Sequence, residues 1–228
     1  MKHEIKNKIF WKTKMGLAIW NYQLYDLKSF DDYSRLLNLY VPSSLKEIMV
    51  KIFNILDDFA KPKKAAISTI SRGEDSFVFY LNSEKSREKF LRKLELTQDV
   101  NNIEIDLILQ CLEFVEGGHF TKKLEIDLGA YLTISVELDQ EGYLDLSSEQ
   151  PVSLNVFLNV DIYAPTKLSR EDYNYDMAKL NGPKLSNFLQ RIEEQLPVEF
   201  VWVDAPDYDK FVGRYGFNYD GDRALVSK

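Results

Sequence analysis

Cysteine is almost missing. The 228-residue chain has one, Cys111, so no intrachain disulfide can staple the fold, and a reducing compartment is its natural home. Glycine (10) and proline (7) are scarce, which argues against a loop-dominated or disordered chain. Histidine occurs twice, at His3 and His119, leaving little material for imidazole chemistry. No apolar run approaches the ~18 residues of a membrane span. The opening MKHEIKNKIFWKTKM is charged and lacks the apolar core of a signal peptide. These absences predict a soluble, cytoplasmic protein. A Gly-rich phosphate loop, a Gly-x-Ser-x-Gly elbow and paired cysteine ligands are also missing. No catalytic residue, metal or cofactor is therefore assigned.

What is present is apolar and aromatic: 45% hydrophobic and 13% aromatic residues, enough to bury a sizeable core. The net charge of −7 is unevenly spread. Residues 1–100 hold 18 Lys and Arg against 13 Asp and Glu, whereas residues 101–228 hold 11 against 23. The expectation is one domain over 1–228, with residues 97–102 as the line between a basic N-terminal and an acidic C-terminal half.

Periodicity reads as follows. The Trp- and Tyr-rich first 27 residues favour strands with Gly16 at a turn or bulge. DDYSRLLNLYV reads as a short helix stopped by Pro42. Ser44 with Glu47 has the spacing of a capping box, opening an amphipathic helix through Phe59 that ends before Pro62. KAAISTISRGEDSFVFYL reads as a hairpin turning at Gly73, and the basic helix after it is capped by Ser83 or Asn82. From Ile103 the apolar period becomes two, in IEIDLIL, KLEIDL, AYLTISVEL, YLDL and VSLNVFLNVDIY. Turns are expected at Gly117–Gly118, Gly129, Gln140–Gly142 and Gln150–Pro151. Ser169 would cap a helix ending at Asn181–Gly182, with Pro183 at the first turn of a second helix. VEFVWV is a last strand. The fold class is α+β: an antiparallel β-meander of five or more strands with helices packed on one face.

The side chains opposite the apolar rows suggest a surface. They include Glu125, Asp127, Tyr131, Glu137, Tyr143, Asp145, Phe157 and Asp161, with Lys123 nearly the only base among them. A solvated face needs no function. Like charges across neighbouring strands are destabilising, however, and carboxylates with aromatic inserts suit a basic protein partner. The tail adds Asp207, Tyr208 and Asp209, whose aromatics would serve either to dock the chain end or to widen that surface. Asn218, Asp220 and Asp222 alternate like the start of a calcium loop. Arg223 stands where that loop needs glycine, and its twelfth position falls past the end of the sequence, so it is rejected.

The reading is a non-catalytic acidic binding protein with a basic protein partner. By analogy of class, acidic inhibitors that neutralise basic toxins or nucleases, such as bacterial immunity proteins, share this profile. One alternative is a carboxylate-dependent hydrolase or nuclease. Against it, the residues two places after Glu104, Glu125 and Glu137 are aspartates, not the lysine of a nuclease core. Cys111 and His119 would make a nucleophile and base only if the fold joined them. A third reading is a nucleic-acid-binding accessory protein using Lys2, Lys6, Lys8, Lys12 and Lys14 with Phe10, Trp11 and the helix around Arg87. The acidic half opposes it.

Overall fold

The computed structural model describes residues 10, 12–13, 16–24, 34–72, 76–115, 120–166 and 174–218, without the side chains of 34–43. The elements run β1 (Ala18–Leu24), α1 (Ser34–Leu56), β2 (Ala60–Thr69), β3 (Ser76–Tyr80), α2 (Glu84–Glu95), β4 (Val100–Phe114), β5 (Thr121–Val136), β6 (Val152–Leu158), α3 (Tyr175–Gln195), β7 (Val198–Asp204), β8 (Val212–Gly213) and β9 (Gly216–Phe217). The first seven strands form one antiparallel sheet in the order β3-β2-β4-β5-β6-β1-β7, and β8 with β9 makes a small hairpin. The α+β fold with a meander sheet is thus present, its strands β4, β5 and β6 paired in sequence order.

The period-two rows decide which face is buried. Ile103, Ile105, Leu107 and Leu109 of β4 oppose Ile134, Leu132, Ala130 and Ile126 of β5, and all eight are buried. Leu154, Val156 and Leu158 continue the row on β6, and Tyr22, Trp20 and Ala18 continue it on β1. The helices close this side. Phe59 stacks on Phe188 of α3 with centroids 4.2 Å apart, and Phe90 of α2 meets Phe53 tilted and Phe79 edge-on. A single cluster of buried apolar residues runs from Leu17 to Phe217.

Helix boundaries differ from the sequence expectation at both internal prolines. The first helix does not end at Pro42: α1 continues through it to Leu56. Ser44 is accordingly interior to a helix, not a cap. Burial of Leu45, Met49, Ile52 and Ile55 outweighs the local preference of a residue before proline. Likewise α3 is one helix through Pro183. Asn181 does not stop it, because its amide is engaged elsewhere: Oδ1 accepts from Leu112 N at 2.7 Å, and Nδ2 donates to Leu112 O and Met177 O. The amide thereby serves as a strand partner for β4 where β2 no longer reaches. Ser169 and Gly73 lie outside the described residues. Ser83 does cap α2, in a capping box with Ser86.

The strand boundaries hold further corrections. KLEIDL and AYLTISVEL are one strand, and Gly129 sits in a bulge instead of a turn. Leu107 pairs with Ala130 but Ile108 with Asp127, so Leu128 and Gly129 are extra residues on β5. Leu128 has φ 50°, and a Cβ on Gly129 would lie 2.5 Å from Leu109 Cδ1. Glycine is needed there for close approach. YLDL is not a strand. It lies in a loop held by a lone Leu138–Leu144 bridge and by Asp139, whose carboxylate accepts from Glu141 N and Tyr143 N.

Urea unfolding tests these assignments. Ile134→Ala empties a fully packed position and should cost about 2–5 kcal/mol. Ser83→Ala should cost about 0.5–2 kcal/mol by loss of its cap, whereas Ser44→Ala, inside a helix, should cost less than about 0.5 kcal/mol. An equal loss at Ser44 would restore the cap that the structure removes.

Candidate functional site: the uncovered sheet face

Among the described residues, the helices leave one face of the sheet uncovered, and the strand registers give its cross-strand rows. One row runs Tyr80, Lys64, Asp106, Tyr131, Phe157, Ile19, Asp204. The next runs Val78, Ala66, Glu104, Thr133, Asn155, Asn21, Trp202. A third runs Ser76, Ser68, Asn102, Ser135, Ser153, Gln23, Glu199. The bulge inserts two residues, an even number, so Glu125 and Asp127 before it share this face with Tyr131 and Thr133 after it.

The carboxylates on the β4–β5 side are not an uncompensated acidic field. Lys61 Nζ lies 2.6 Å from Glu125, Lys63 Nζ 2.8 Å from both oxygens of Asp127, and Lys64 Nζ 3.9 Å from Asp106. These lysines belong to β2, which pairs beside β4. Lys61 and Lys63 are 64 positions from their partners in sequence, so the sequence pattern showed the acids without their bases. Pairs this exposed contribute little to stability, typically about 0–1 kcal/mol each, but they cancel the local field. They also occupy lysines of the basic half that could have met a phosphate backbone.

The other side of the face differs. Residues 130–136 of β5 and all of β6, β1 and β7 contain no lysine or arginine. At the centre Tyr131 and Phe157 stack, centroids 4.2 Å apart and planes 5° apart. Burial, and next the charge of Glu104, raise the Tyr131 hydroxyl pKa, so it stays a neutral donor. Beside them Asn21 Nδ2 donates to Asn155 Oδ1 at 2.8 Å, and Asn155 reaches Thr133 Oγ1. Trp202, opposite Asn21 on the edge strand, is 42% exposed. The carboxylates stand at the ends and edge: Glu137, Asp139, Glu141 and Asp145 in the loop after β5, Glu199 and Asp204 on β7, Asp207 and Asp209 beyond it. Gln23 ties that loop to β1 by donating to Glu149 O. Asp145 accepts from Ser147 Oγ and N, which lowers its pKa.

Among the sequence candidates, Glu125, Asp127, Tyr131 and Phe157 share the uncovered face. Glu137, Tyr143 and Asp145 stand at its end, in the loop, and Asp207 and Asp209 are exposed after β7. Two candidates are displaced. Asp161 is fully buried, because β6 ends at Leu158 and the chain turns into a 3-10 segment at Asp161–Tyr163. Tyr208 is also buried; its ring packs on Phe217 and its hydroxyl donates to Thr166 O. The tail aromatics Tyr208 and Phe217 therefore dock onto the domain. Tyr219, Asp220 and Asp222 lie outside the described residues. Sequence reasoning missed Trp202 and Asn21, because nothing local shows that β1 inserts between β6 and β7. It also missed Glu193, which accepts from Arg214 Nε and Nη2 and from Tyr215 Oη and so fastens the β8–β9 hairpin to α3.

Among the described residues, no three of His, Cys, Asp and Glu lie close enough together to hold a metal ion, and no helix is long and apolar enough to cross a membrane. No family model, no curated protein and no solved structure matches the chain.

Cys111 faces the core, 3.3 Å from Tyr163 Oη. Burial is the larger influence and the Tyr163 hydrogen bond opposes it; together they push the thiol up to about 11 from an ordinary 9.0. Because the folded value is raised, the thiol costs the fold nothing below pH 9, and stability should decline as pH climbs from 9 towards about 11. At about pH 8 the folded protein should resist iodoacetamide and react once urea unfolds it. Rapid alkylation of the folded chain would show that the thiol is accessible.

Proposed function

We propose that this protein is a non-catalytic binding protein whose partner is a protein with a basic surface, and that the β5–β6–β1–β7 part of the uncovered face is where the partner docks. One observation carries the reading: the Tyr131–Phe157 stack at the centre and Trp202 on the edge strand lie on strand segments without a single basic residue, bordered by Glu199, Asp204 and the acidic loop. Interfaces concentrate their affinity in central aromatic anchors, which the surrounding contacts shield from water. Carboxylates at the rim attract a cationic partner and raise its association rate. A basic toxin or nuclease, held by this chain as its acidic inhibitor, is the partner class that this chemistry suits best, by analogy of surface and not of sequence. The paired carboxylates Glu125 and Asp127 have no leading part in the docking, since Lys61 and Lys63 already neutralise them.

The test starts from the immobilised full-length chain in extract of its own host, followed by binding kinetics with the protein it retains. Trp202→Ala should weaken binding by about 2 kcal/mol or more, chiefly by faster dissociation. A Glu199→Lys, Asp204→Lys double variant should instead slow association and flatten its salt dependence. Phe157→Ala should resemble Trp202→Ala, with circular dichroism confirming that it folds. A retained protein that is acidic, or kinetics unchanged in all three variants, would remove the basis for this assignment.

A further inference from the structure

Among the described residues, the register leaves half of β5 with a strand neighbour on one side only. β6 begins to pair with β5 only at Ala130, so Thr121–Asp127 is bonded to β4 on one side and, among the described residues, to no strand on the other. Lys12 touches that side, donating from Nζ to Asp127 O. The arm ends in exposed apolar side chains: Phe120 is 76% exposed, Phe114 40% and Val115 38%. An open edge with an apolar tip invites another strand.

Backbone parity shows which groups are on offer. Val115 N donates to Phe120 O, so Phe120 points its carbonyl at β4. Alternation then turns Lys122, Leu124 and Ile126 towards β4 as well, and turns the N–H and C=O of Thr121, Lys123, Glu125 and Asp127 outwards. The Lys12 contact at Asp127 O agrees with this phase.

We propose that this edge joins a second copy of the chain, antiparallel, about a two-fold axis through Leu124. In that register Leu124 meets its own copy as a non-hydrogen-bonded pair. Lys123 faces Glu125 of the second copy, Glu125 faces its Lys123, and Thr121 and Asp127 face each other likewise. Every outward N–H and C=O of the four residues meets an outward group. Asp127 O, which accepts from Lys12, has a second lone pair for its new donor. The side chains agree with the backbone, since Lys123 and Glu125 lie on the same face of β5 and oppose one another across the axis. The registers centred up to two residues away set like charges together. Centring on Lys122 or Lys123 would stack a lysine on itself, and centring on Glu125 or Ile126 would set Glu125 against itself or against Asp127. The two-fold contact is closed, so it yields a dimer and not a fibre. It lies on the arm and leaves Tyr131, Phe157 and Trp202 free.

Sedimentation equilibrium of the full-length chain tests this. The parent should be a dimer. Lys123→Glu sets Glu against Glu125 at both symmetric positions, and Glu125→Lys sets Lys against Lys123, so each variant alone should raise the dimer dissociation constant about tenfold or more. An equimolar mixture of the two variants should recover dimerisation, because both pairs between positions 123 and 125 in the mixed species are again oppositely charged. Far-UV circular dichroism verifies that both variants fold. A parent that stays monomeric at its highest soluble concentration would overturn the proposal. So would variants that dimerise like the parent, or a mixture that gains nothing over its components.

Discussion

The β4–β5 ladder is the constraint on which the rest of the molecule depends. It runs from Asn102 opposite Ser135 to Phe114 opposite Thr121, the longest pairing in the sheet. Its core side carries the rows on which α1 and α3 close, and its other side carries Glu104, Asp106, Glu125, Asp127 and Tyr131. The bulge at Leu128–Gly129 divides this ladder into two regimes. Beyond it, β5 is an interior strand flanked by β4 and β6; before it, β5 pairs with β4 alone among the described strands. Since the bulge adds two residues, the inward and outward sets keep their faces across it. A side chain at Gly129 would collide with Leu109, so the ladder and the core share one steric requirement.

Charge on the uncovered face follows from which strands become neighbours. β2 lies beside β4, and its lysines reach across to the carboxylates of β4 and β5. β1 lies between β6 and β7, and it brings only Ile19, Asn21 and Gln23 to the face. Lysines of the basic half thus meet carboxylates of the acidic half on one side of the face. The acidic surplus is displaced to the other side, where the aromatics are. That displacement shifts the candidate site from Glu125 and Asp127 towards Trp202, Glu199 and Asp204.

Much of this was legible in the sequence, and the failures have definite causes. The alternation of Ile103 to Leu109, Leu132 to Val136 and Leu154 to Leu158 named the buried face correctly, because a strand turned over by one residue would put its whole apolar set in water. Tyr131 and Phe157 were placed on the open face by the same alternation. Asp161 was misplaced because alternation persists through Val160 and Ile162, which are buried at a 3-10 turn instead of in a strand. The helix stops at Pro42 and at Asn181–Pro183 were overridden. Proline costs a local hydrogen bond, but a break at Asn181–Pro183 would split a buried stripe that runs from Ala178 to Ile192.

The sequence by itself determined the α+β class, the inward and outward sets of the central strands, the cap of α2 to within Ser83 or Asn82, and the scarcity of base from Lys123 to Lys167. All of these depend on residues within a few positions of one another, where a 2.0 or 3.6 period and a cap spacing act directly. Only the tertiary structure decided the strand order, and with it the lysine–carboxylate pairs, the meeting of Asn21 with Trp202, and the half of β5 that pairs with β4 alone among the described strands. Those contacts join residues up to about 180 positions apart, and no local pattern selects among the neighbours that a strand with a buried face can take.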